Sequence, residues 1–341
     1  MAKKKVKYNL RRIIFLLLFL IIVVGIAFFI LARADLYRML DALRHANYGF
    51  LILAICMYTF STLFWSAKWR IALSAVGQSV KLRDLYLIVY GSIFINNVTP
   101  LTRAGGDPVG RAYLLQKTKG VPYAPGFATI LSEYVLSIPV FFSFLVLGLL
   151  IYLGVASIWS VLAVIGIWVV AVILSVPVFS RILRKRVAAS RISGLIARTL
   201  RALRRRVNKT KITKGVERFY GGAHIVISQW RTAICIVIFS AILWTFDMLR
   251  IYFIFQALGY QAPLAMLLLA STLPTIAGLI PLLPGGLLLV DGTFISIFML
   301  FGFNFGIASA ATLIERSISF VFSTFVGAGA LSYLGIRVWS R

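Results

Sequence analysis

Nine acidic residues occur in this chain, and five of them, Asp107, Glu133, Asp247, Asp291 and Glu315, fall in or beside long apolar segments. Arg103, Arg111, Arg250 and Arg316 accompany them. A charge near the centre of a bilayer costs on the order of 3 kcal/mol on insertion scales, so each must pair or face a polar cavity. Arg103 and Asp107 are four residues apart and Asp247 and Arg250 three, spacings that allow local pairing on a helix. Glu315 and Arg316 are adjacent and point apart on a helix, so their partners are expected elsewhere. Two chemistries fit this set. One is a group of structural ion pairs stitching a helix bundle. The other is a polar site inside the membrane whose arginines receive a phosphate.

The stretch Asn96-Asn97-Val-Thr-Pro100-Leu-Thr-Arg103-Ala-Gly105-Gly106-Asp107-Pro-Val-Gly-Arg111 is the most informative in the chain. Gly105-Gly106 lets the backbone approach a ligand or a neighbouring helix closely. Exposed amides at a broken helix end favour an anion, and Arg103 and Arg111 add bidentate phosphate donors. Asn96 and Asn97 can satisfy freed backbone groups or bind headgroup oxygens. A counterpart, Ile280-Pro281-Leu-Leu-Pro284-Gly285-Gly286-Leu-Leu-Leu-Val-Asp291, has the same break without an arginine. Two such elements meeting at mid-membrane would form an amphiphilic slot with one cationic wall. Glu133 and Glu315 would balance its arginines or carry protons, and Arg316 completes the candidate substrate-binding set.

Other chemistries find little support. The two histidines, His45 and His224, have no second ligand at metal spacing, and neither a nucleophile elbow nor a P-loop occurs. Cys56 and Cys235 both lie in apolar runs and read as packing residues. No cofactor or metal is expected, and the chain is expected not to be an enzyme. A membrane-embedded transferase and a scaffold or regulatory membrane protein stand as alternatives.

The elements that must position these residues are membrane helices. Of 341 residues, 61% are hydrophobic and 13% charged, against roughly a quarter charged in soluble domains. Mean hydropathy is +0.95. Apolar runs of about twenty residues mark a polytopic membrane protein. Full spans are expected at about 13–31, 48–67, 127–155, 159–179, 234–258 and 306–334, the second closed by Lys68, Trp69 and Arg70 as anchors. The run 85–98 is too short to cross, and 263–301 is interrupted by Pro274, Pro281, Pro284, Gly285 and Gly286. Both read as re-entrant, broken-helix elements. The Ala32-x-Ala34 pattern resembles a signal-peptidase site, but nineteen apolar residues before it are long enough to cross, so the first span is expected to be uncleaved.

The net charge is +27, with 36 Lys and Arg against 9 Asp and Glu. Much of it sits in the basic segment 181–231. Positive charge prefers the cytoplasmic side, which places that segment and both termini in the cytoplasm of a multi-pass cell-membrane protein. Positions 192–207 have amphipathic spacing suited to an interfacial helix, so the expected partners there are anionic lipids and not nucleic acid. A homodimer is admissible.

The halves look related: Glu133 lies twenty-seven residues beyond Gly106, and Glu315 twenty-nine beyond Gly286. The chain thus reads as one all-α integral membrane domain, 1–341, of about six full transmembrane helices plus two re-entrant elements. These form an inverted repeat, the first at about 50–155 and the second at about 232–334.

Arg103-Ala-Gly105-Gly106-Asp107-Pro-Val-Gly-Arg111-Ala-Tyr-Leu-Leu resembles the signature of the lysylphosphatidylglycerol synthase transmembrane-region family, also called the flippase-like domain. Pro284-Gly285-Gly286-Leu and the Glu315-Arg316 helix resemble its second signature, over about residues 10–335 in all. In that family a glycine commonly stands where this chain has Leu288, a glutamate where it has Asp291, and Glu-Arg where it has Glu133-Tyr134. The resemblance implies a stand-alone flippase, without an aminoacyl-transferase domain, that moves the headgroup of an anionic phospholipid or of a polyprenyl-phosphate-linked sugar across the bilayer.

Overall fold

In a computed structural model the described residues are 36–99, 106–155, 209–280 and 286–335, with scattered positions between 157 and 170. The expected spans at 13–31 and 159–179, the basic residues 181–208 and the breaks at 100–105 and 281–285 lie outside or largely outside these. The described residues form helices and contain no strand.

After a short α1 (Leu36–Arg44), the first half comprises α2 (Tyr48–Ala75), α3 (Leu82–Val98), α4 (Arg111–Lys119) and α5 (Tyr123–Tyr152). A wide-turned segment, Gly106–Gly110, leads into α4. Next come α6 (Lys209–Ser228), α7 (Trp230–Ala257), α8 (Leu264–Ala277) and α9 (Leu289–Leu300). The last helix, α10 (Phe305–Tyr333), widens into a π-turn at Ser317–Phe322. Helices α2, α5, α7 and α10 are long and apolar enough to cross a membrane. At 1.5 Å per residue the 14 residues of α8 and the 12 of α9 reach only about 21 and 18 Å, short of a hydrocarbon core of about 30 Å.

A shift of 182 residues relates the halves without a gap. It carries Tyr48 to Trp230, Leu82 to Leu264 and Tyr123 to Phe305, the first residues of α2 and α7, α3 and α8, α5 and α10. It also carries the helix-ending glycines Gly77 and Gly120 to Gly259 and Gly302, all four with positive φ. At the first of these pairs the geometry repeats as well: Gln78 N donates to Leu73 O at 2.9 Å and Tyr260 N to Phe255 O at 3.0 Å. This six-residue closure needs a left-handed residue that only glycine adopts freely.

Packing respects the same correspondence. Helix α2 lies along α7; α3 packs on the end of α10, and its counterpart α8 packs on α5. The α3–α10 crossing is close because Gly327 has no side chain: a Cβ there would overlap the Tyr90 carbonyl oxygen and Phe94. The largest apolar core joins both halves, with Tyr58, Tyr90, Phe255, Phe294 and Phe298 among its members.

The second span runs beyond its expected end. Helix α2 continues to Ala75, and Lys68 and Trp69 are 4% and 0% exposed. They are interior residues rather than interfacial anchors, because α5 and α7 cover this end of the helix. The last part of the expected soluble segment is likewise folded: α6 packs on α5 and buries Ala223, Val226 and Ile227.

Candidate functional site

The buried charges gather into two centres, one in each half. In the first, Arg111 opens α4 directly after the Gly106–Gly110 segment and is 0% exposed. Its Nε lies 3.0 Å from Asp107 Oδ1, and its Nη2 contacts Glu133 Oε1 on α5. The guanidinium stacks against Trp69 and Trp65 of α2, at 4.6 and 5.2 Å from their ring centroids, and lies 5.8 Å from Tyr134. Trp65 Nε1 also donates to Glu133 Oε1 at 3.4 Å. One cation is thus held by two carboxylates and an aromatic cage, the environment in which arginine tolerates burial better than lysine.

Lys68 lies beside this group. Its Nζ donates to Ser137 Oγ at 3.1 Å, and Ser137 lies 2.7 Å from Ser240 Oγ of α7. The residue was missed as a site candidate because it closes an apolar run next to Trp69 and Arg70, the usual look of a membrane anchor. The available signal was the repeat itself, since the 182-residue shift carries Lys68 to Arg250.

In the second centre Arg250 of α7 bridges Asp247 at 2.8 Å and Glu315 of α10 at 3.1 Å. Ser61 donates to Asp247 and Ser319 to Glu315, both at 3.1 Å, and Tyr58 lies under the guanidinium. Glu133 and Glu315 each lie ten residues into their helices, α5 and α10, and Ser137 and Ser319 each one turn further. Arg316, pointing away from Glu315 as adjacency requires, meets Asp291 of α9 at 2.8 Å. Asp291 in turn accepts the Leu288 N–H at 3.1 Å. Leu288 has φ +70° and ψ −54°, a strained conformation for a side-chain-bearing residue. It occupies the position at which the family pattern commonly has glycine.

Of the expected site residues, Asp107, Arg111 and Glu133 come together in one centre; Glu315 belongs to the other; Asp291 and Arg316 form a separate pair. Asn96 Oδ1 accepts the Asp107 N–H at 3.2 Å, tying α3 to the segment after the break. Asn97 instead reaches across to the π-turn of α10, donating to Phe320 O, Ser323 Oγ and Thr324 Oγ1 at 2.9–3.3 Å. Gly106 begins the wide-turned segment, and Gly286 has positive φ at the start of the second half's helix entry. Arg103, Gly105, Pro284 and Gly285 lie outside the described residues.

Comparison with known proteins decides the family. The sequence profile described as "Lysylphosphatidylglycerol synthase TM region" matches residues 15–327. The chain belongs to this family. Among similar proteins are two UPF0104 membrane proteins of Methanothermobacter thermautotrophicus. One is 29% identical over 87% of this chain and 89% of its own length. The other is 28% identical over 98% and 97%. A UPF0104 membrane protein of Pyrococcus horikoshii is 26% identical over 91% of this chain and 95% of its own. No solved structure matches. Membership in the lysylphosphatidylglycerol synthase transmembrane-region family points to a lipid-related role for an all-α, multi-pass membrane protein.

Proposed function

We propose that the chain is a lipid flippase that carries a phosphate-bearing headgroup, of an anionic phospholipid or a polyprenyl-phosphate-linked lipid, across the cell membrane. The observation that carries this reading is Arg111, a fully buried guanidinium placed directly after a helix break and reached by both Asp107 and Glu133. A purely structural ion pair in hydrocarbon gains little over apolar packing, so a membrane-buried arginine cluster invites a functional explanation. In this reading the two halves are an inverted repeat. The 17 residues of α3 with the break after them, and α8 with α9, are its re-entrant elements. The headgroup passes between them while the acyl or prenyl tails stay in lipid, and Arg111 with Arg103 binds the phosphate. The chain moves the lipid without making or breaking covalent bonds.

Near the start of α5, a cavity of about 280 Å³ is lined by Gln116, Tyr123, Lys214 and Arg218. Its two cations would concentrate anionic headgroups beside α4 on the basic, cytoplasmic side. The test is translocation of labelled phosphatidylglycerol and of labelled polyprenyl phosphate by the purified protein in proteoliposomes, with Arg111→Lys in parallel. Lysine keeps the charge but loses the planar fork, so translocation should slow markedly without vanishing. Wild-type rates for the variant would remove Arg111 from the phosphate site.

A further inference from the structure

The two centres are equivalent by position but not by pairing. In the second half Arg250 holds Glu315 at 3.1 Å, and Ser319 supports the same carboxylate. The 182-residue shift maps this trio onto Lys68, Glu133 and Ser137. Yet Lys68 rests on Ser137, and among the described residues no carboxylate lies within ion-pair distance of it. Glu133 is taken by Arg111 instead. Its second oxygen, Oε2, is buried and accepts no hydrogen bond among the described residues.

From this asymmetry we infer that Lys68 is a positioning residue that draws Glu133 off Arg111 and so releases the guanidinium to the lipid phosphate. The inference rests on the flippase reading above and names the residue that opens its site. Ser137 lies one turn from Glu133, so the ammonium needs to travel about 5 Å along α5 to reach the unpartnered Oε2. The Arg250–Glu315 pair shows that a cation at this position of the long helix can reach the equivalent glutamate. The exchange leaves neither partner stranded: Glu133 exchanges one cation for another, Arg111 exchanges a carboxylate for a phosphate while keeping Asp107, and the buried ammonium gains the carboxylate it lacks at rest among the described residues.

The test measures translocation of acyl-labelled phosphatidylglycerol and of labelled polyprenyl phosphate in proteoliposomes as a function of lipid fraction. The variants are Lys68→Gln, Lys68→Arg, Ser137→Ala and Glu133→Gln, with the Lys68→Gln/Glu133→Gln double variant. Folding of each is followed by gel filtration and thermal unfolding. Lys68→Gln should raise the half-saturating lipid fraction about tenfold when Glu133 is present and by less than about twofold when residue 133 is glutamine. Lys68→Arg should restore half-saturation. Ser137→Ala, which removes the resting partner of Lys68, should lower it, a direction that loss of stability does not produce. Equal factors in both backgrounds, or no fall with Ser137→Ala in folded protein, overturn the inference. If the wild type carries neither lipid, the flippase reading itself fails, and this proposal with it.

Discussion

Replacing Arg111 by methionine removes the guanidinium that Asp107 and Glu133 both contact. Both carboxylates are almost wholly buried, and methionine fills much of the space between Trp65 and Trp69, so the loss is electrostatic rather than a cavity. Breaking a buried pair costs about 3–5 kcal/mol. The variant should lose about 3–4 kcal/mol of stability. Removing one of the two negative charges should offset this, so Arg111→Met/Glu133→Gln should recover about half the loss or more. Unfolding of detergent-purified protein, followed by tryptophan fluorescence, reads the difference. A variant within about 1 kcal/mol of wild type, or an equal loss with and without Glu133→Gln, would refute the assignment of Arg111 as the counter-cation that Asp107 and Glu133 share among the described residues.

Other substitutions probe the frame around the centres. Gly327→Ala should cost about 1–3 kcal/mol, because its Cβ meets backbone of α3 that cannot give way; Gly329→Ala, with open space around it, should be neutral in the same unfolding assay. Leu288→Gly should raise stability by about 1 kcal/mol, since the residue is 43% exposed and strained at φ +70°. A fall on this substitution would show that the leucine side chain contributes more than its backbone costs. Glu315→Gln should cost about 1.5–3 kcal/mol by weakening the Arg250 bond between α7 and α10, while Asp247 still holds the guanidinium. Denaturant titration that shows less than half a kcal/mol would place Glu315 outside the load on that pair.

Much of the fold is legible in the residues alone. Apolar runs gave three of the four long described helices to within four residues, and the start of α2 but not its end, because burial in lipid demands length and hydropathy and little else. The adjacency of Glu315 and Arg316 predicted separate partners, and they have them in Arg250 and Asp291. The spacing of Asp247 and Arg250 predicted their pairing. What stayed hidden was long-range. Glu133 is twenty-two residues from Arg111, and nothing local marks the two as partners. Asn97, expected to satisfy freed backbone groups or to bind headgroup oxygens, offers its amide to the Phe320 carbonyl and to two hydroxyls of α10, more than two hundred residues away. Lys68 hid behind its neighbours: a basic residue beside tryptophan at the end of twenty apolar residues resembles an anchor, and only packing by α5 and α7 turns it inward. The repeat could have revealed it, because the 182-residue shift aligns cation with cation, glutamate with glutamate and glycine stop with glycine stop.

The central claim is that the protein moves a phosphate-bearing lipid. The most direct measurement is a quench assay on proteoliposomes holding acyl-labelled phosphatidylglycerol or labelled polyprenyl phosphate, in which a membrane-impermeant reductant bleaches only outer-leaflet probe. Wild-type protein should carry the bleachable fraction well beyond the half expected of sealed vesicles, for at least one of the two lipids, and a zwitterionic phosphatidylcholine probe should lag behind. A bleachable fraction that stays at half for both anionic lipids, in vesicles containing folded protein, would contradict the account.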